Sequence, residues 1–110
     1  MITFDELIKE HEQLWVDTTL DQQCQKWIEE YQEFRAETEY DKIVSEQADM
    51  VIVSAGIARF DYLQGIYHLV DSVKVFTSPD LWDAVEKKME KNRSRKWAKQ
   101  DDVGYHHIGD

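Results

Sequence analysis

The chain has 110 residues, of which 42% are hydrophobic and 33% charged, and its 13 basic and 23 acidic residues give a net charge of −10. This length predicts one domain over 1–110, with enough apolar surface for a core without disulfides. The lone Cys24 fits a reducing, cytoplasmic setting. No apolar run approaches the ~20 residues of a membrane span. The acidic balance argues against nonspecific binding to nucleic acid.

Apolar residues recur with a helical period along most of the chain and predict an all-α bundle of four to five helices. Thr3 and Thr19 each open a capping-box pattern, so we expect a first helix over about 3–17 and a second over about 20–37. One face of the first helix carries Phe4, Leu7, Ile8, His11, Leu14 and Trp15. This face should pack on the core.

A third helix is predicted from about Tyr40 to Leu63, with Gly65 as a candidate for its end. Its middle, Met50 to Phe60, is apolar on almost every side, as in a central buried helix. A short strand over Met50–Ser54 is the alternative, but no other segment offers it a partner. One small bundle should not cover such a helix completely, so we expect either Ile52 or Ile57 to contact a neighbouring chain.

The last predicted helix covers about 79–96. Ser78-Pro79-Asp80 gives it an N-cap, a proline in the first turn and an acid near the positive end of the helix dipole. Residues 66–77 show no clear pattern beyond a possible short helix. The tail, about 98–110, contains two glycines and is predicted to be extended.

Two pairs of acids are candidate metal ligands. Glu30 and Glu33 share a face of the second helix, because residues three apart lie about 60° around the axis. Glu46 and Asp49 repeat this spacing on the third helix, where they continue an apolar stripe. Four inward carboxylates would repel one another unless cations lie among them. Mg²⁺ suits such oxygen ligands, and Mn²⁺ is the alternative ion.

Two arrangements that lack Mg²⁺ are alternatives for the same acids, and the sequence is compatible with the first of them. The four carboxylates can be ordinary surface charges that are solvated or paired with Arg35, Lys42 and Arg59. A di-iron site would require a Glu three residues before a His on two helices. No His of this chain has a Glu at that position.

A basic block complements the acids. Residues 87–99 contain seven basic residues and one acid, and Lys88, Lys91 and Arg95 form one stripe on the last predicted helix. Such residues can bind phosphates, or they can simply solvate the C-terminal end of a helix. Trp97 can stack on a base or close the end of the core. The pair at 106–107, both His, can assist at a phosphate or be merely exposed.

These motifs resemble those of the MazG-like all-α nucleoside triphosphate pyrophosphohydrolases. The family's Glu-Glu-x-x-Glu motif is matched at 29–33 and its Glu-x-x-Asp motif at 46–49, before the apolar run at 50–53. Lys91 to Trp97 looks like the family's basic motif, and the ending at 104–107 is similar to the tails of small members. The resemblance covers roughly residues 20–107.

The resemblance implies a Mg²⁺-dependent enzyme that converts a nucleoside triphosphate to the monophosphate and pyrophosphate. Its implied metal ligands are Glu30, Glu33, Glu46 and Asp49, with Glu33 or Glu46 orienting the attacking water. The implied phosphate ligands are Lys91 and Arg95, and Asn92 and Trp97 are further candidates for substrate binding. It also implies a homodimer or homotetramer.

Two other functions are compatible with the same residues. One is a non-catalytic helical dimer that serves as an interaction module, in which the acids and bases are only surface charge. The other is a small nucleic-acid binder that uses residues 87–99. Specific binding of Mg²⁺ would separate the enzyme from the interaction module. Strongly salt-dependent binding to a duplex would indicate the nucleic-acid binder.

Overall fold

The computed structural model describes residues 1–74, 76–101 and 104–108, and for residues 96, 98–101 and 104–108 it describes the backbone alone. Five helices precede a short hairpin: α1 (Phe4–Leu14), α2 (Leu20–Ala36), α3 (Tyr40–Ala58), α4 (Tyr62–Val73), α5 (Leu81–Ser94), β1 (Lys96–Asp101) and β2 (Gly104–Ile108). The all-α prediction is therefore confirmed for the body of the fold. None of the described helices is long and apolar enough to cross a membrane.

The first two helices begin where the capping patterns predict. In α1 the Thr3 hydroxyl accepts a hydrogen bond from the Glu6 amide, and the Glu6 carboxylate accepts one from the Thr3 amide. In α2 the Thr19 hydroxyl accepts from the Gln22 amide at 3.2 Å. These contacts satisfy N–H groups that have no partner inside a helix.

Helix α3 is the centre of the fold and contacts α1, α2, α4 and α5. Every residue from Met50 to Ala58 is buried within this one chain. The expectation that one chain cannot cover this helix is therefore wrong for 50–58, since Ile52 and Ile57 are both buried without a neighbouring chain, whereas Phe60, beyond the end of α3, is 44% exposed. The segment predicted as a possible strand, Met50–Ser54, is helical.

The predicted third helix is in fact two helices. Helix α3 ends at Ala58, and the Asp61 carboxylate accepts a hydrogen bond from the Gln64 amide to cap α4. Gly65 does not end a helix; it lies in α4 directly against Ala58. A side chain at Gly65 would overlap the backbone of Ala58, so this glycine allows the two helices to approach closely.

The last helix is shorter than predicted, and the tail pairs with itself. The N-cap of α5 is Asp80 and not Ser78 as predicted, so Pro79 precedes the helix; the Ser78 hydroxyl accepts a hydrogen bond from the Asp80 amide. Strands β1 and β2 form an antiparallel hairpin in which Trp97 lies opposite His107. The Trp97 ring packs edge-on against Trp15 with centroids 5.1 Å apart, so the hairpin begins at the end of the core.

Candidate metal centre

The packing of α2 against α3 brings three glutamates together. The two helices are joined by a three-residue link, 37–39, so they run as antiparallel neighbours. One carboxylate oxygen each from Glu30, Glu33 and Glu46 lies within 4.8 Å of the other two. We call these three residues the glutamate cluster. Three of the four predicted metal ligands are thus placed within reach of one ion.

Glu30 is the most buried member of the cluster. It is 7% exposed, and its Oε2 atom is buried without a hydrogen-bond partner. Burial, and after it the charge of Asp49, raises the pKa of Glu30 to about 8. Lys26, one turn earlier on α2, offsets part of this effect with its Nζ atom 3.6 Å from Glu30 Oε1. A buried, incompletely paired carboxylate is costly without a cation.

Glu46 also has an unpaired buried oxygen, whereas Glu33 is the solvent-exposed member of the cluster. Burial, the Asp49 charge and a hydrogen bond with Glu33 raise the pKa of Glu46 to about 7. Its Oε2 atom is also buried without a partner. Glu33 is exposed, so an ion or a water molecule can reach the cluster from its side.

Asp49 lies beside the cluster but has a cation of its own. The Lys88 ammonium donates to Asp49 Oδ2 at 3.0 Å, from the neighbouring helix α5. Burial raises the pKa of Asp49, and Lys88 counteracts this shift. Asp49 is near enough to raise the pKa of Glu30 and of Glu46. The fourth predicted ligand is therefore adjacent to the cluster and engaged by a lysine.

The glutamate cluster fits a hard divalent cation. All three donors are carboxylate oxygens, the kind of ligand that Mg²⁺ and Mn²⁺ prefer. Two of their oxygens, one on Glu30 and one on Glu46, are buried and unpaired, and a cation would satisfy both. No Cys or His belongs to the cluster, so its chemistry does not suggest a zinc site.

The cations beside these acids differ from those that the sequence suggests. Arg35 lies over the Tyr31 ring, Lys42 pairs with Glu39, and Arg59 donates to the Trp15 carbonyl. In the part of the chain that the structure describes, Lys26 and Lys88 are the lysines within ion-pair distance of the predicted ligands. The sequence signals their positions: Lys26 lies one helical turn before Glu30, and Lys88 belongs to the basic stripe.

The basic motif only partly keeps its predicted geometry. Lys91 is exposed on α5, but the helix ends at Ser94, and Arg95 is a C-cap with extended backbone. The predicted helical stripe that joins Lys91 to Arg95 is therefore interrupted. The Nε atom of Arg95 is buried without a hydrogen-bond partner.

Asn92 and Trp97 have structural contacts in this part of the fold. The Asn92 carbonyl accepts hydrogen bonds from the Trp97 indole at 2.9 Å and from the Arg95 amide at 3.2 Å. Trp97 packs on Trp15 and so closes the end of the core, one of the two roles that its position in the sequence allows. His106 and His107 lie on β2, and their side chains are outside the described part of the structure.

Comparisons of the chain with models of protein families, with curated proteins and with solved structures found no match.

Proposed function

We propose that this protein is a Mg²⁺-dependent nucleoside triphosphate pyrophosphohydrolase, which converts a ribo- or deoxynucleoside triphosphate and water to the monophosphate and pyrophosphate. The observation that carries the proposal is the glutamate cluster, with Glu30 7% exposed and one of its oxygens unpaired. A fold does not retain buried like charges without compensation. A divalent ion would supply that compensation, and it could bind the phosphates of a nucleotide as well.

Each part of the site has a role in this reaction. Glu30, Glu33 and Glu46 would hold the ion, which when bound lowers the pKa of water and neutralises phosphate charge. Glu33 is exposed and the pKa of Glu46 is raised to about 7, so either carboxylate would be able to accept a proton from the attacking water. Lys91 and Arg95 would bind the phosphates that leave as pyrophosphate.

The decisive test determines which phosphoanhydride bond of the substrate is cleaved. The protein is incubated with Mg²⁺ and each common ribo- and deoxynucleoside triphosphate in ¹⁸O-labelled water, and the products are analysed by phosphorus NMR. We expect monophosphate and pyrophosphate, with the label in the monophosphate. Orthophosphate with a diphosphate would place attack at the γ-phosphorus and would refute both the mechanism and the resemblance.

Matched variants link this activity to the cluster. Glu33→Gln should abolish turnover and the thermal stabilisation by Mg²⁺, whereas Glu29→Gln removes the same charge from a neighbouring position and should retain both. Arg95→Met should lower kcat/KM, and the decrease should correspond to a loss of about 2–4 kcal/mol of transition-state stabilisation. The control Arg93→Met removes a cation that pairs with Glu10 and should have little effect.

The second candidate is a non-catalytic helical dimer, and a row of apolar side chains favours it. Leu63, Tyr67 and Val70 are 71%, 73% and 50% exposed on one side of α4. Positions spaced four and three apart form a continuous stripe on a helix. The homodimer or homotetramer is therefore proposed through α4 rather than through the buried α3. Mg²⁺-dependent stabilisation that Glu33→Gln removes would favour the enzyme over a purely interacting protein.

A further inference from the structure

Lys88 forms an ion pair with Asp49, the predicted metal ligand that does not belong to the glutamate cluster. Its ammonium lies 3.0 Å from Asp49 Oδ2, with the two side chains 28% and 30% exposed. The glutamate cluster leaves Asp49 out, although Asp49 lies one helical turn from Glu46 on α3. The acidic site is therefore divided into a three-glutamate part, which Lys26 pairs only at Glu30 Oε1, and an aspartate part that is paired with Lys88.

The charges of the site agree with this division. Glu30, Glu33, Glu46 and Asp49 carry four negative charges when ionised, and Lys26 and Lys88 supply two positive charges. The remaining charge of −2 equals in size that of one divalent ion. Lys26 does not complete the cluster, because it contacts one oxygen of Glu30 at 3.6 Å and leaves the other unpaired.

We propose that the site has two cation positions and that the Lys88 ammonium permanently fills the one at Asp49, so that each chain binds a single divalent ion within the glutamate cluster. This inference rests on the metal site of the proposed function. An ammonium is a compact charge that donates to a carboxylate but coordinates nothing. A second ion at Asp49 would have to displace Lys88 and would be repelled by it at short range.

A single ion changes how the phosphates must be held. With one divalent ion, part of the charge on the departing pyrophosphate has to be neutralised by the protein. Lys91 and Arg95 are the residues that we propose for this purpose. In a two-ion site, the second metal would serve this purpose.

The test counts bound ions in the absence of substrate. Free Mn²⁺ is measured by electron paramagnetic resonance during titration of the wild type, Lys88→Met and Lys87→Met. Lys87 is the matched control, because it is the adjacent lysine and pairs with Asp83 on the surface at 3.0 Å. We expect one ion per chain for the wild type and for Lys87→Met, and two for Lys88→Met. The double variant Lys88→Met/Asp49→Asn should return to one ion.

The outcomes separate this inference from the proposed function. If all three proteins bind one Mn²⁺ ion per chain, or if the wild type binds two, the proposed role of Lys88 is wrong. The proposed metal site would remain supported in both cases. No bound Mn²⁺ in the wild type would overturn both. Lys88→Gln retains a polar side chain and replaces the methionine variant if circular dichroism shows that the latter is unfolded. Its expected stoichiometry is again two.

Discussion

Glu30→Gln should stabilise the metal-free protein above neutral pH, although it removes a residue of the proposed active site. The pKa of Glu30 rises from 4.5 to about 8 in the folded state because the carboxyl is buried beside Asp49. An acid with a raised pKa binds more protons when folded, so stability decreases as pH rises from 4.5 to about 8. At about 1.4 kcal/mol per pH unit, the rise from about pH 6.5 to about 8 should cost the wild type about 2 kcal/mol.

Urea denaturation in excess chelator, at several pH values between about 6.5 and 9, measures this effect. Below this range the buried His11 begins to act in the opposite direction. Between these pH values, the free energy of unfolding of Glu30→Gln should decrease by about 2 kcal/mol less than that of the wild type. The free energy of unfolding of Glu30→Gln should still decrease somewhat with pH, because the pKa of Glu46 is also raised, to about 7.

Glu29→Gln is the control for this prediction, because it removes the same charge from the adjacent position of α2. Its stability profile should run parallel to that of the wild type. If the Glu30→Gln profile is also parallel, Glu30 is not held in a costly environment, and the electrostatic argument for the metal centre fails.

Three further predictions concern the rest of the fold. Gly56→Ala should lower the free energy of unfolding by about 1–3 kcal/mol, because a Cβ there overlaps His11 and Gln23, and equal stability in urea would contradict this packing. Burial lowers the pKa of His11 to about 3, so its imidazole NMR signals should not titrate between about pH 8 and 5, and stability should decrease as pH falls from 6.5 toward 3. Light scattering should show a dimer or larger that Leu63→Lys dissociates, whereas a wild-type mass of 13.1 kDa would exclude the assembly.

The sequence predicts helices best where apolar period and capping agree. Both signals mark the start of α1, and its Thr3–Glu6 capping box is present in the structure. Residues 59–61 contain neither Pro nor Gly to mark the end of α3, but Asp61 followed by Gln64 repeats the capping pattern of Thr19 and Gln22, so the start of α4 did carry a signal in the sequence. Gly65 misleads for the opposite reason. It is a glycine required by contact with another helix, and such a contact leaves no local signal.

The site shows the same limit of sequence-based inference. The spacing of the acids is a property of single helices, so the sequence predicts that Glu30 and Glu33 share a face, as do Glu46 and Asp49. Which of the four meet depends on how the helices are offset. This offset places Lys88 of α5 at Asp49 and leaves the three glutamates together. Helical period alone does not fix such an offset between helices that are distant in sequence.

Stability and activity should change in opposite directions at the metal centre, and this relation separates functional acids from incidental ones. An acid that only solvates the surface changes stability little when it is neutralised. A buried acid retained for a ligand destabilises the empty fold, so its removal increases stability and abolishes binding. Glu30 meets the structural condition for the second case, with an unpaired buried oxygen and a raised pKa. Neutralising the exposed Glu33 should also abolish activity, but it should increase the free energy of unfolding less than neutralising Glu30 does. That graded difference between the two glutamates follows from their burial.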